Sequence, residues 1–287
     1  MPAPISTAME LHPLSDGFFG LDGGAMFGII PRVLWQRANP PDGNNRIRLA
    51  LRPLLVLTPA DRVLIDTGIG RKYGPDFDRM YNVDDSDDLE RSLARHGLVP
   101  GDISVVVLTH LHFDHAGGAT RLDRHGRPVP RFPNARHVVQ RDEWHDATHP
   151  NRRTRGSYRP DDFLPLEAAG LLELVDGDAD LLPGIRLVRT GGHTRGHQIV
   201  LVEHEGGTTV YLADLVPTST HVNVPYIMGF DLQPLVTMEK KEELLGLAAR
   251  EEWTCCFEHD PDLAFGVIRS DGDRYRVEPL TGKGENR

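Results

Sequence analysis

From Val105 to Gly118 the chain reads Val-Val-Val-Leu-Thr-His-Leu-His-Phe-Asp-His-Ala-Gly-Gly, placing His110, His112, Asp114 and His115 directly after an apolar run. Imidazole and carboxylate are the donors that borderline divalent cations such as zinc prefer, and a loop at a strand end can point several of them inward. Three further donors share one placement: His193 follows the run ending at Thr190, Asp214 closes Val210-Tyr-Leu-Ala, and His259 follows Cys255-Cys-Phe-Glu. Taken singly, each reads as an ordinary polar residue beyond a strand. Taken together, four strand ends could hold ligands around one cleft to the tolerance that metal geometry demands.

The elements that must position these donors are legible as apolar, β-branched runs bounded by turn residues. They are Leu54 to Leu57, Arg62 to Ile65, Ile103 to Thr109, Ile185 to Thr190, Gln198 to Glu203, Thr208 to Ala213 and Thr254 to Phe257. Helical spacing follows Ser86, read as an N-cap, with Leu89, Leu93 and Ala94 on one face and Gly97 as the stop. A second helix is expected from about Thr237 to Trp253. Strands mixed with helices, without strict alternation, predict sheets covered by helices on their outer faces. The polar stretch from about 123 to 165 carries one strand candidate, Arg136 to Val139, and reads as a long excursion from the core of a single domain spanning 1–287. The tail from Thr281 to Arg287 is expected to fray.

Bulk properties narrow the function. The net charge of −10 argues against a general nucleic-acid partner, which would need clustered basic residues on a basic domain. Adjacent Cys255 and Cys256 make no disulfide framework, so a reducing, cytoplasmic setting is expected. The start lacks a basic segment followed by an apolar one, and no stretch approaches the ~18 apolar residues of a membrane span.

The motif His110-x-His112-x-Asp114-His115, the segment Gly192-His-Thr-Arg-Gly-His197, Asp214 and His259 together resemble the metallo-β-lactamase superfamily over most of the chain. The resemblance implies an α+β fold, the αββα sandwich of two mixed sheets flanked by helices. It also implies that His110, His112 and His193 bind one metal, that Asp114, His115 and His259 bind a second, and that Asp214 bridges them. True β-lactamases of this superfamily carry a cysteine near the position of Asp214, so an Asp there resembles the branch containing glyoxalase II and lactonases. Leu14-Ser-Asp-Gly, Leu21-Asp-Gly-Gly-Ala-Met-Phe-Gly28 and Leu64-Ile-Asp-Thr-Gly68 resemble the quorum-quenching lactonase and organophosphate-hydrolase group. Little chain follows His259, which argues against the C-terminal glutathione-binding domain of glyoxalase II.

The chemistry so implied is hydrolysis of a lactone or related acyl ester, a small molecule, by a hydroxide that bridges two divalent ions. Zinc is the first expectation, with iron, manganese or cobalt as alternatives. Asp114 is expected to orient the hydroxide and relay its proton, and Tyr226 or His221 to donate to the carbonyl or leaving group. Asp66 is expected to hold a ligand histidine by its second N–H, with His197 in a similar part. Met26, Phe27 and Trp35 offer an apolar wall or core packing. Arg152, Arg153, Arg155 and Arg159 form a positive patch, by default solvated. Cys255 and Cys256 read as buried strand residues, not nucleophiles. Alternatives are a phosphodiesterase or nuclease, a glyoxalase II-like thioesterase, a di-iron redox protein and a non-catalytic metal module. A homodimer is an open option.

Overall fold

The computed structural model describes residues 9–272 and 274–280. Two mixed sheets face each other. The first orders its strands Glu10–Pro13, Leu54–Leu57, Arg62–Ile65, Val105–Val107, Arg136–Gln140 and Leu172–Val175. The second orders Ala179–Leu182, Ile185–Arg189, Gln198–His204, Gly207–Tyr211, Thr254–Cys256, Phe265–Asp271 and Arg274–Pro279.

The alternation of side chains explains why these strands are apolar almost throughout. Leu54, Val56, Val63, Ile65, Val105 and Val107 point to the opposite sheet and meet Leu187, Val200, Val202, Tyr211 and Cys256. Their neighbours Leu55, Leu64 and Val106 point the other way, against Leu89, Leu93, Phe163 and Leu166. In the second sheet Ile199, Val210 and Cys255 back onto Leu244, Leu245 and Ala248 of the helix Pro234–Arg250. A strand covered on both faces needs apolar residues at both parities, whereas a half-exposed strand would alternate with polar ones. The result is an αββα sandwich, and Cys255 and Cys256 fall on opposite faces of one strand as free, buried thiols. Truncating Leu54, Ile65 or Leu187 to Ala would cost about 2–5 kcal/mol.

All seven expected strands are present, shortened or shifted by a residue or two where turns begin. Three expectations change. The first helix spans Leu89–Ala94 and is capped by Asp88, whose carboxylate accepts from Arg91 N at 2.8 Å, rather than by Ser86. The last long helix starts earlier, at Pro234, because proline fits the first turn. The stretch 123–165 is no excursion: Arg136–Gln140 is an interior strand, pairing with Val105–Val107 and Leu172–Val175. The helices Arg141–Thr148 and Pro160–Ala168 that flank it cover the outer face of the first sheet. Its polarity misled because a single buried strand sits between long surface segments.

A separate hairpin, Phe18–Asp22 with Arg46–Ala50, carries its own apolar cluster of Phe19, Phe27, Trp35, Leu49, Phe77 and Phe113. Residues 281–287 lie outside the described residues. No helix among the described residues is long and apolar enough to cross a membrane.

Candidate metal centre

The donors lie past the C-terminal ends of strands that run in one direction. Arg62–Ile65, Val105–Val107 and Arg136–Gln140 are parallel neighbours in the first sheet. Gly207–Tyr211 and Thr254–Cys256 are parallel in the second, and two antiparallel steps across Gln198–His204 bring Ile185–Arg189 into the same sense. One edge of the sandwich therefore collects every strand exit that carries a donor. Local backbone turns each donor inward: Ala213 adopts a φ of 44°, which swings Asp214 off the strand axis, and Asp66 adopts a φ of 56°. Such left-handed residues cost on the order of 1 kcal/mol each and persist because surrounding contacts hold them.

Two donor groups form. His110, His112, His193 and Asp214 bring ligand atoms within 4.8 Å of one another, and so do Asp114, His115 and His259. In the first, His193 Nε2 lies 3.1 Å from His112 Nδ1 and 3.0 Å from Asp214 Oδ2, with His110 Nε2 3.8 Å from the same oxygen. In the second, His259 Nε2 is 3.2 Å from His115 Nε2, and Asp114 Oδ2 is 3.7 and 3.8 Å from those two nitrogens. Asp214 Oδ1 stands 3.2 Å from His259 Nε2 and 3.5 Å from His115 Nε2. Thus one carboxylate turns one oxygen to each group. Donor separations of about 3.3 Å are what a tetrahedral ion with ligand bonds near 2 Å requires.

The polar accounting also fits metal. His110 Nε2 and Asp214 Oδ1 are buried with no hydrogen-bond partner, a costly condition unless a cation completes them. Charge agrees. Burial pushes His110 and His112 well below the ordinary histidine value, and the neighbouring imidazoles push further. Burial also opposes charge on His193 and His259, but Asp214, with Asp231 at the first and Glu258 at the second, lifts them to about 10 and about 9. Desolvation would raise Asp214, yet His193 and His115 hold it well below the usual carboxylate range. The carboxylates favour the charged form of His193, His259 and also His115, so a cation bound here would displace protons from these imidazoles.

The outward ring nitrogens are fixed by partners. His115 Nδ1 meets Asp66 Oδ2 at 3.0 Å, the contact expected of Asp66, which also accepts from Thr109 N and Oγ1 at 2.7 Å. His259 Nδ1 donates to Ala50 O at 2.8 Å. His197 Nε2 accepts from Asp214 N at 3.2 Å while Nδ1 meets Thr190 Oγ1 at 2.6 Å, so His197 holds the backbone of Asp214. The carbonyl of Thr67 would lie 1.9 Å from a Cβ on Gly118, and only glycine lets the Asp66 loop close on the donor segment.

Four partners escaped the sequence reading. Asp231 Oδ1 accepts from His193 Nδ1 at 2.7 Å. Glu143 is fully buried and joins two donor loops: Oε1 accepts from Leu111 N at 2.9 Å and from the Tyr158 hydroxyl at 3.0 Å, and Oε2 accepts from the Thr194 hydroxyl at 2.5 Å. Glu258 Oε2 lies 2.9 Å from His115 Nδ1, which is hydrogen-bonded to Asp66, and has no hydrogen bond of its own among the described residues; burial pushes its carboxyl up to about 7. Lys241 is buried and donates to the carbonyls of Asn223 and Tyr226 at 2.9 and 2.7 Å. A carboxylate on a helix or loop leaves no local periodic signal; only Glu258, adjacent to His259, stood near a recognisable position.

Other expectations are revised. His221 is not free to meet a substrate: Nδ1 lies 2.7 Å from Thr218 Oγ1, Nε2 lies 2.9 Å from Met26 O, and the ring stacks on Phe27 at 4.5 Å. Burial drives its pKa down to about 3, so it is a neutral strut. Met26, Phe27 and Trp35 are core, each no more than 1% exposed. Tyr226 is half-buried, edge-on to Phe27. Of the arginine patch, Arg152, Arg153 and Arg155 are exposed, with Arg153 reaching Gly229 O at 2.7 Å, whereas Arg159 turns onto aromatic rings. Burial raises both thiols, Cys255 and Cys256, to about 12, consistent with inert strand residues.

A family model described as the Metallo-beta-lactamase superfamily matches residues 54–259. Among curated proteins, N-acyl homoserine lactonase AiiA of Bacillus thuringiensis subsp. kurstaki is 30% identical over 179 residues, covering 61% of this chain and 63% of that protein. N-acyl homoserine lactonase of Bacillus cereus is 28% identical over 229 residues, covering 75% and 83%. The chain thus spans 63% of the length of AiiA. Among solved structures, a probable metal-dependent hydrolase from Staphylococcus aureus superposes with a TM-score of 0.86 at 32% identity, over 98% of this chain and 100% of that one. AidC, a dizinc quorum-quenching lactonase, gives a TM-score of 0.77 at 21% identity over 98% and 97%, a likeness of fold.

Proposed function

The chain belongs to the metallo-beta-lactamase superfamily, and on that premise we propose that it is a binuclear metal-dependent hydrolase that opens a lactone or cleaves a related acyl ester. The observation that carries the reading is the placement of Asp214, with Oδ2 toward His193 and His110 and Oδ1 toward His259 and His115. His110, His112 and His193 would hold one ion, Asp114, His115 and His259 the other, and Asp214 would join them. Two bound divalent ions, zinc first, would supply Lewis acidity and lower the pKa of a bound water to about 7.

The chain's own residues supply the rest. Asp114, 6% exposed and beside His115 and His259, would accept the proton of the attacking water and pass it to the leaving alkoxide. Asp66, Asp231 and Ala50 O keep the donor imidazoles in one tautomer and orientation. Tyr226, on the loop that Lys241 tethers, is the proposed donor to the carbonyl or leaving group. The resemblance to N-acyl homoserine lactonases at about 30% identity supports a small acylated lactone as substrate.

The test is a panel of lactones, thioesters, phosphodiesters and phosphotriesters, assayed after metal content is measured. Two metals per chain with lactone turnover bear the reading out; turnover confined to phosphodiesters would overturn the substrate class while leaving the metal centre in place.

A further inference from the structure

We infer that Arg159 is a specificity-determining residue that recognises a carboxylate which the substrate carries in addition to its scissile ester. The turnover arm of this inference rests on the hydrolytic reading above, whereas its binding arm does not.

Arg159 immediately precedes the helix Pro160–Ala168. The residues before it are stitched to the donor segment: Phe113 N donates to Ser157 O at 3.1 Å, and His112 forms a β-bridge with Tyr158. The guanidinium carbon consequently lies 4.6 Å from the ring centre of Phe77, 4.8 Å from that of Tyr73 and 5.8 Å from that of Phe113. Phe113 sits in the chain between His112 and Asp114, so this cation packs on a side chain of the donor segment itself. Its charge and that of Asp114 act on the same hydroxyl: burial raises Tyr81, Arg159 lowers it and Asp114 raises it again.

What sets Arg159 apart is that no carboxylate among the described residues forms a close ion pair with it, although its charge does reach Asp162. Its Nε is buried with no hydrogen-bond partner among the described residues. The obvious carboxylate, Asp162, is taken instead by Lys72 at 2.7 Å and by the Tyr73 hydroxyl at 2.7 Å. Other half-exposed arginines of this region behave differently: Arg189 pairs with Asp142, and Arg195 with Asp142 and Asp146. Aromatic faces hold a guanidinium by about 0.5–2 kcal/mol and fix its plane, but they leave its N–H edges unsatisfied. A rigid fork with free donors matches a carboxylate in two-point geometry. The rings of Tyr73, Phe77 and Phe113 would meanwhile cover the carbon skeleton. A substrate suited to this surface is an acyl compound with an apolar arm that ends in, or carries, an anionic group.

Two matched esters test this on the metal-loaded protein: the 4-nitrophenyl esters of hexanoate and of adipate, the latter bearing a free carboxylate at the far end. Wild type should favour the adipate ester, and Arg159→Met should lower the adipate-to-hexanoate ratio of kcat/KM by about 10- to 100-fold, the worth of one charge-assisted hydrogen bond, through KM. Arg159→Lys should restore only part of the ratio. In the binding arm, calorimetry with adipate and hexanoate should show the same loss for adipate alone. A ratio unchanged in Arg159→Met, or a fall shared equally by both esters and both acids, overturns the proposal. If neither ester is turned over, the calorimetric comparison alone decides this inference, and the lactone panel decides the hydrolytic reading separately.

Discussion

Asp231 Oδ1 lies 2.7 Å from His193 Nδ1, 38 residues earlier in the chain, and both side chains are buried. The carboxylate fixes His193 with Nε2 aimed at Asp214 and His112, and raises the basicity of that nitrogen. Asp231→Asn should therefore weaken metal affinity of the first donor group by about 10- to 100-fold while sparing the second. Titration of the metal-free protein with cobalt, followed by its visible absorption, should show one site weakened and one retained; equal affinities in variant and wild type would contradict the role.

Asp214→Ala removes the only side chain among the described residues that turns an oxygen to each group. Metal content should fall below two per chain, and hydrolysis by about a thousandfold or more, as expected when several kcal/mol of metal-derived stabilisation is lost. Elemental analysis beside the kinetic assay checks this; full occupancy with full activity would dispose of the bridging assignment.

Glu143 touches no donor atom, yet it joins the loops that carry them through Leu111 and Thr194. Glu143→Ala would orphan a buried amide and two hydroxyls, at about 1–3 kcal/mol for each unsatisfied group. Glu143→Gln keeps an acceptor for Leu111 and Tyr158, and its amide can donate to Thr194. The Gln variant should thus retain near wild-type metal affinity where the Ala variant loses it. Denaturant midpoints without metal, measured alongside, separate loop positioning from general destabilisation.

His137 sits in the interior strand Arg136–Gln140, where burial lowers its pKa from 6.5 to about 4 despite a hydrogen bond to Ala135 O. The folded state binds the proton less tightly than the unfolded chain, so its stability contribution is complete above pH 6.5 and is lost as the pH falls towards 4. The gap corresponds to about 3 kcal/mol. His137→Phe should show a shallower fall in thermal midpoint between pH 7 and pH 4.5 than wild type, and parallel curves would rule the titration out.

The donor set was readable because it is local or sits at recurring places. His110 to His115 occupy consecutive positions, and His193, Asp214 and His259 each follow an apolar run that forms a strand. Such runs are dictated by burial on both faces, which writes itself into sequence as unbroken hydrophobicity. The stretch 123–165 shows the limit, because its buried strand is too short to outweigh the polar segments around it.

By itself, the sequence determined which side chains could ligate a cation and which segments were stiff enough to present them, since both depend on residue type and near-neighbour spacing. Tertiary structure alone decided that parallel strand exits share one edge and that Asp214 turns a different oxygen to each group. It also decided that Asp231 and Glu143 stand behind the donors, that His221 spends both nitrogens on the backbone and a threonine, and that Arg159 makes no close ion pair among the described residues. Each of these depends on a distance between residues far apart in the chain, which no local pattern encodes.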